Sequence, residues 1–338
     1  MKISNNNVLN IIPGLLICTF LFLSSSKQVL QFPEAEITNG IIRAKVYLPD
    51  QEKGYYQGTR FDWSGVIPHL EYQGHTYFGQ WFPKYDPKIH DAISGPVEEF
   101  NPIGYEKAKP GENFLKIGVG TLRKLDDKDY RFSAPYEVVD HGKWSVKKKK
   151  DRVEFKHELT DAAGYSYVYH KNLKLSKVKP ELILEHSLKN TGKNIIDTKV
   201  YNHNFFMIDD QEIGPAYTVT FPFNLKLKEI NRGIGDIAEI KDNKIIYNRT
   251  FNKGESVHCY LEGFGNSASD YKIEILNSNT GAGVIITSDQ PISDLAYWSI
   301  STTLCPEPYI KVTVKPREEF KWNTYYNYFI ESDQASGK

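Results

Sequence analysis

Apolar and polar residues alternate with a period of two along most of the chain, in short runs closed by Gly, Pro, Asn or Asp. Such alternation places successive side chains on opposite faces and marks half-buried β-strands. Ile310, Val312 and Val314 alternate with Lys311, Thr313 and Lys315; after a turn at 316–319, Phe320, Trp322, Thr324, Tyr326 and Tyr328 share a face. Val153, Phe155, His157 and Leu159 lead through 161–164 into Tyr165, Tyr167 and Tyr169, which predicts a hairpin. Further strands are predicted over 41–48, 181–190, 198–206, 271–276 and 284–287. No segment of a dozen residues carries a helical stripe, so the pattern predicts an all-β protein, a large antiparallel twisted β-sandwich.

The pattern breaks twice. Residues 77–111, rich in Pro, Gly and Asp, lack clear periodicity. A connection that long inside a compact domain is commonly functional, so this is the first place to seek a site. At the N-terminus, Lys2 precedes an apolar run over 11–23 and then Ser24, Ser25 and Ser26. That run is shorter than the ~20 residues needed to span hydrocarbon, and small residues follow it. Residues 1–26 are therefore expected to be a secretory signal peptide, leaving one domain over 27–331 and a tail over 332–338. The expectation is an exported protein, periplasmic or extracellular, with no stable membrane span after cleavage.

Charge narrows the partners. The 338 residues hold 42 Lys+Arg and 42 Asp+Glu, so bulk electrostatics gives no nucleic-acid partner. Lysines 147–150 read as a solvated edge. Beyond the leader only Cys259 and Cys305 remain, with no spacing suited to zinc, and a domain this large buries enough core without a disulfide.

Four places combine titratable groups with aromatics, glycines or prolines. In the strand around Tyr201-Asn202-His203-Asn204-Phe205-Phe206, a His between amides can have one ring nitrogen fixed and the other free to move a proton. A satisfied structural His is the competing reading. Glu307, between Pro306 and Pro308 just before a strand, is presented in a fixed direction, or simply belongs to a rigid loop. Arg60, Asp62 and Trp63 sit among Gly58, Phe61 and Gly65; such mixtures suit sugars, with rings covering C–H faces and charges taking hydroxyls, although an Arg60–Asp62 ion pair is equally compatible. His90 beside Asp91 lies in the irregular stretch, where a loop His is ordinarily just solvated.

Taken in order, these pieces resemble the aldose 1-epimerase (galactose mutarotase-like) superfamily, as a divergent branch spanning about residues 38–330. Asn202-His203-Asn204-Phe205-Phe206 is similar to that family's Asn-His-x-Tyr-Phe strand, and Glu307-Pro308 to its late Glu-Pro. Val314-Lys315-Pro316-Arg317-Glu318, followed by Trp322 and Tyr326, resembles its closing strands. Arg60 falls where the family has its early Arg, with Asp62-Trp63 in place of Asn-Arg, and His90 where it has Leu-His-Gly-Gly, with Asp91-Ala92 in place of the glycines. The resemblance implies a galactose mutarotase-like supersandwich with a sugar groove on one sheet face. It implies interconversion of anomers of a free sugar or oligosaccharide reducing end, with His203 as acid, Glu307 as base and His90 as helper. Arg60, Asp62, Trp63 and Asn202 would contact the sugar, and no metal or other cofactor is needed. A rigid sheet would hold His203 and Glu307 across the ring. Two other classes stay open: a non-catalytic carbohydrate-binding protein on the same fold, and a lyase or hydrolase pairing Glu307 with Asp62, Asp91 or Asp209.

Overall fold

The computed structural model describes residues 1–2, 31–160 and 164–331. The expected signal peptide (all but its first two residues), the 161–163 turn and the 332–338 tail lie outside the described residues. Two large antiparallel sheets dominate. The ten-stranded one runs, in spatial order, Ala238–Lys241, Lys244–Tyr247, Tyr217–Thr220, Lys272–Asn277, Ala282–Ser288, Glu319–Ile330, Glu181–Asn190, Ser166–Leu175, Arg152–Thr160 and Lys143–Lys149. The six-stranded one runs Lys226–Arg232, Val257–Glu262, Asp294–Ile300, Thr303–Val314, Ile196–His203 and Val97–Phe100. A four-stranded sheet lies over residues 34–76 and a three-stranded one over 113–140. Among the described residues no helix is long and apolar enough to cross a membrane.

The apolar faces of the two large sheets share one core. Val153, Leu173, Leu182, Leu184 and Tyr326 from the larger sheet and Ile196, Val200, Ile310, Val312 and Val314 from the smaller belong to the same buried cluster. Each such aliphatic side chain contributes roughly 1.5–3 kcal/mol by leaving water. Alternation does the sorting: in Ile196–His203, Ile196, Thr198 and Val200 face inward while Asp197 and Lys199 face out. A second buried cluster, with Phe61, Trp81, Phe82, Phe114 and Phe205, lies outside that core. It is built largely from the segments with no period-two pattern.

The strand expected over 181–190 is found at those bounds. Lys143–Lys149 forms an edge of the larger sheet, where exposed lysines deter pairing with another chain. The strand containing Ile310 begins earlier than expected, at Thr303, so Glu307 lies inside a strand and not in a loop before one. Prolines 306 and 308 are tolerated because their stretch is laddered on one side only. They pair with Tyr297 and Leu295, whereas the ladder to Ile196–His203 ends at Val200 opposite Ile310. The side-chain amide of Asn204 caps that open edge, donating to the Pro306 carbonyl at 3.0 Å. Cys259 and Cys305 are both buried free thiols.

Candidate active site

The outer face of the six-stranded sheet is the floor of a cleft of about 480 Å³. Period-two alternation brings its residues together from separate strands. Tyr201 lies opposite Glu99, Glu307 opposite Ala296, and Ala296 opposite Tyr260, while Trp298 lies between His258 and Cys305. Residues 77–111 supply Trp81, His90, Asp91, Glu99 and Asn101 to the walls, as the irregular stretch had suggested.

His203 Nε2 and Glu307 Oε1 are 3.3 Å apart, with side chains only 4% and 8% exposed. They touch, and so are not held across a sugar ring. The His203 ring is stacked on Phe205 at 3.8 Å, and Phe205 in turn on Trp81 at 4.8 Å; Phe61 and Trp298 meet His203 edge-on at 5.5 and 5.6 Å. Phe205 reaches this position with φ of 48°, a left-handed conformation that is costly for an aromatic residue and concentrates at functional sites. Gly95 lets the same bend pass, since a Cβ there would lie 1.9 Å from the Asn204 carbonyl oxygen. His203 Nδ1 is buried with no hydrogen-bond partner among the described residues.

Beside this pair sits a charged cluster. Arg60 Nε donates to Glu99 Oε2 at 2.6 Å, the Tyr201 hydroxyl donates to the same oxygen at 2.7 Å, and Lys116 Nζ reaches Glu99 Oε1 at 3.4 Å and the Tyr130 hydroxyl at 2.9 Å. Burial alone would raise Glu99, but Arg60, Lys116 and the Tyr201 hydroxyl outweigh it and hold it below the usual carboxylate range. Burial pulls Lys116 down to about 8. The uncompensated pair behaves differently: burial pushes Glu307 up to about 8, against the opposing pull of Arg60. Burial, helped by the Arg60 charge, drives His203 well below 6.5. At neutral pH the pair is therefore a carboxylic acid beside a neutral imidazole, and holds one transferable proton.

Of the residues the sequence singled out, the structure brings Arg60, His90, His203 and Glu307 to one cleft. Three others need correction. Asn202, adjacent to His203 on a strand, points to the opposite face and donates to Glu98 Oε1 at 2.9 Å between the sheets. Asp62 is buried and spends both carboxylate oxygens on Ser64, at 2.9 Å from its N–H and 2.8 Å from its hydroxyl, so the Arg60–Asp62 ion pair does not form. Trp63 donates to the Gly58 carbonyl and lines a neighbouring cavity. Of the carboxylates considered as partners for Glu307, Asp91 alone lines the cleft; Asp209 is held by His75 at 2.9 Å elsewhere.

Sequence reasoning missed Glu99, Tyr130, Phe132, Trp298 and Tyr309, all of which line the cleft. A signal for Glu99 existed: two adjacent acids, Glu98 and Glu99, in an otherwise apolar strand whose four residues are all buried. Among the described residues no group of three or more His, Cys, Asp or Glu is arranged to hold a metal ion.

No protein-family model matches the chain, and no curated protein matches it in sequence. Solved structures do. A galactose mutarotase related enzyme from Lactobacillus acidophilus is similar over 90% of this chain and 99% of its own, with TM-score 0.54 and 13% identity. A galactose mutarotase-like protein from Clostridium acetobutylicum is similar over 89% and 98%, with TM-score 0.53 and 15% identity. The GalM/aldose epimerase homologue from C. elegans is similar over 88% and 98%, with TM-score 0.53 and 12% identity. At such identities the likeness is one of fold: the chain has the β-sandwich architecture of these galactose mutarotase-like structures.

Proposed function

We propose that the protein is an exported carbohydrate mutarotase, an aldose 1-epimerase-like isomerase acting on a free sugar or oligosaccharide reducing end. The observation that carries this reading is the His203–Glu307 contact at 3.3 Å on a cleft floor that Arg60 also lines. Ring opening needs a proton delivered to the ring oxygen and another taken from the anomeric hydroxyl, while the bond from C1 to the ring oxygen breaks and a C1 carbonyl forms. Reclosure on the other carbonyl face reverses each transfer, so nothing is oxidised or reduced. Both oxygens are bonded to the same carbon, so touching donor and acceptor groups serve them from one side of the sugar.

A pair carrying one proton suits this chemistry, because one member gives while the other takes. Burial leaves that proton on Glu307 at rest; crossing the 3.3 Å contact gives imidazolium and carboxylate at the same proton count. The family resemblance assigns donation to His203 and acceptance to Glu307. The Arg60 charge favours the Glu307 carboxylate and disfavours the His203 imidazolium, so it acts on both members of the pair and does not by itself decide which holds the proton. His90, which lies beside Asp91 at 3.6 Å and lines the cleft, would orient the sugar. The leader-like residues 1–26 support export. Two-dimensional NMR exchange on equilibrated neutral sugars, uronic acids and short oligosaccharides tests the reading. Enhanced α/β exchange for at least one is expected, and exchange at the spontaneous rate throughout would overturn it.

A further inference from the structure

A second cavity, of about 620 Å³, lies beside the catalytic cleft. Three chain segments run from one into the other. Gln57, Gly58 and Thr59 line the second cavity and Arg60 the cleft; Lys88 and Ile89 line the second, Asp91 the cleft, and His90 both; Tyr130 and Phe132 line the cleft, and Ser133 to Val138 the second. The ridge between them is a short stack. The Arg60 guanidinium lies 4.0 Å over the Phe132 ring, and the Phe132 and His90 rings are 5.6 Å apart. Phe132 is 45% exposed and crowns the boundary of two hollows whose linings mix polar and aromatic groups.

The lining of the second cavity is mixed. Gln51, Gln57, Lys88 and Glu137 offer amides and charges, and Trp63 and Tyr136, only 2% and 5% exposed, bring aromatic rings to its wall. His141, whose ring lies 5.0 Å from that of Trp63, has a buried Nδ1 without a partner among the described residues. Amides and charges take hydroxyls while aromatic surface takes C–H faces, which is how a pyranose is held. An exposed ring on the ridge supplies a platform where a chain would cross.

Resting on the reading proposed above, we infer that the second cavity binds the next sugar unit of a glycan whose reducing end occupies the His203–Glu307 cleft. The substrate is then an oligosaccharide of two or more units, passing over Phe132 and His90. This also gives Trp63 a place in carbohydrate binding, although not in the cleft itself.

Calorimetry compares each monosaccharide with its disaccharide: glucose with cellobiose, galactose with β-1,4-galactobiose, N-acetylglucosamine with chitobiose. At least one disaccharide is expected to bind about tenfold more tightly, the worth of one added stacking contact. Ser133→Trp, which fills the second cavity from an exposed position, brings the ratio of the two affinities to about one. Gln51→Trp, from another exposed position on that cavity, does the same and guards against misfolding of the first variant. Disaccharides binding no more tightly than monosaccharides, or a gain that survives both variants, would overturn the inference. If monosaccharides are nevertheless interconverted, the mutarotase reading stands without it; if no sugar is bound or interconverted, both fall.

Discussion

The strand Val97–Phe100 carries two neighbouring glutamates into opposite surroundings. Glu98 faces the space between the large sheets, where Lys171, His186 at 2.9 Å and Asn202 at 2.9 Å hold it. Although burial opposes it, Lys171 and His186 pull Glu98 down to about 2. On the other face, Glu99 is likewise held by Arg60, Tyr201 and Lys116, but its neighbour Glu307 has only His203 as an ion-pair partner among the described residues. With the pull of Arg60 too small to offset burial, Glu307 is raised to about 8, whereas Glu98 is held down to about 2. Carboxylates of equal burial thus become a fixed charge or a proton carrier according to how many cations reach them.

Removing a cation from the compensated cluster should cost most. Lys171→Met leaves Glu98 buried with only His186 and Asn202 as hydrogen-bond partners among the described residues, and denaturant unfolding is expected to show a loss of about 3–5 kcal/mol. A loss below about 1 kcal/mol would mean that this cluster does not brace the sheets. Arg60→Met is milder for folding, since Lys116 still reaches Glu99. Its effect should appear in the cleft, as sugar binding at least about tenfold weaker by calorimetry, and unaltered affinity would remove Arg60 from the sugar site.

The pH dependence of kcat/KM sharpens the contrast. The raised Glu307 keeps its proton below about 8 and loses it above, so the pair then lacks a donor and activity falls through that range. The depressed His203 becomes protonated only well below 6.5, where the pair lacks an acceptor, so the acid limb lies there. A profile flat from pH 6 to pH 9.5 would contradict this assignment. The smallest effect belongs to the exposed edge. Glu154→Gln, which breaks the surface pair with Lys149, should leave the unfolding midpoint close to wild type, with a change within about 0.5 kcal/mol.

Much of the fold was legible because alternation is written residue by residue, as in the strand Glu181–Asn190. The site was half legible. His203 and Glu307 carried local marks, an amide-flanked His and a proline-flanked Glu, although the prolines concealed that Glu307 is inside a strand. Asn202 was misplaced against information already present, since on a strand the residue beside His203 must face the other way. Asp62 was misplaced because its partner, Ser64, lies two residues away and a glycine-rich stretch gives no sign of burial. Trp298 and Tyr309 were out of reach, because they enter the cleft only through the pairing of Thr303–Val314 with Ile196–His203 on one side and with Asp294–Ile300 on the other.

The central claim is that His203 and Glu307 exchange protons with a sugar. His203→Asn and Glu307→Gln keep size and polarity while removing the mobile proton, and NMR exchange on the best-interconverted sugar measures the consequence. Each variant is expected to lower the rate on the order of 10² to 10⁴, with the melting temperature and sugar affinity near those of the parent. Wild-type exchange rates in both variants would contradict the account and leave the cleft a site that binds sugars without transforming them.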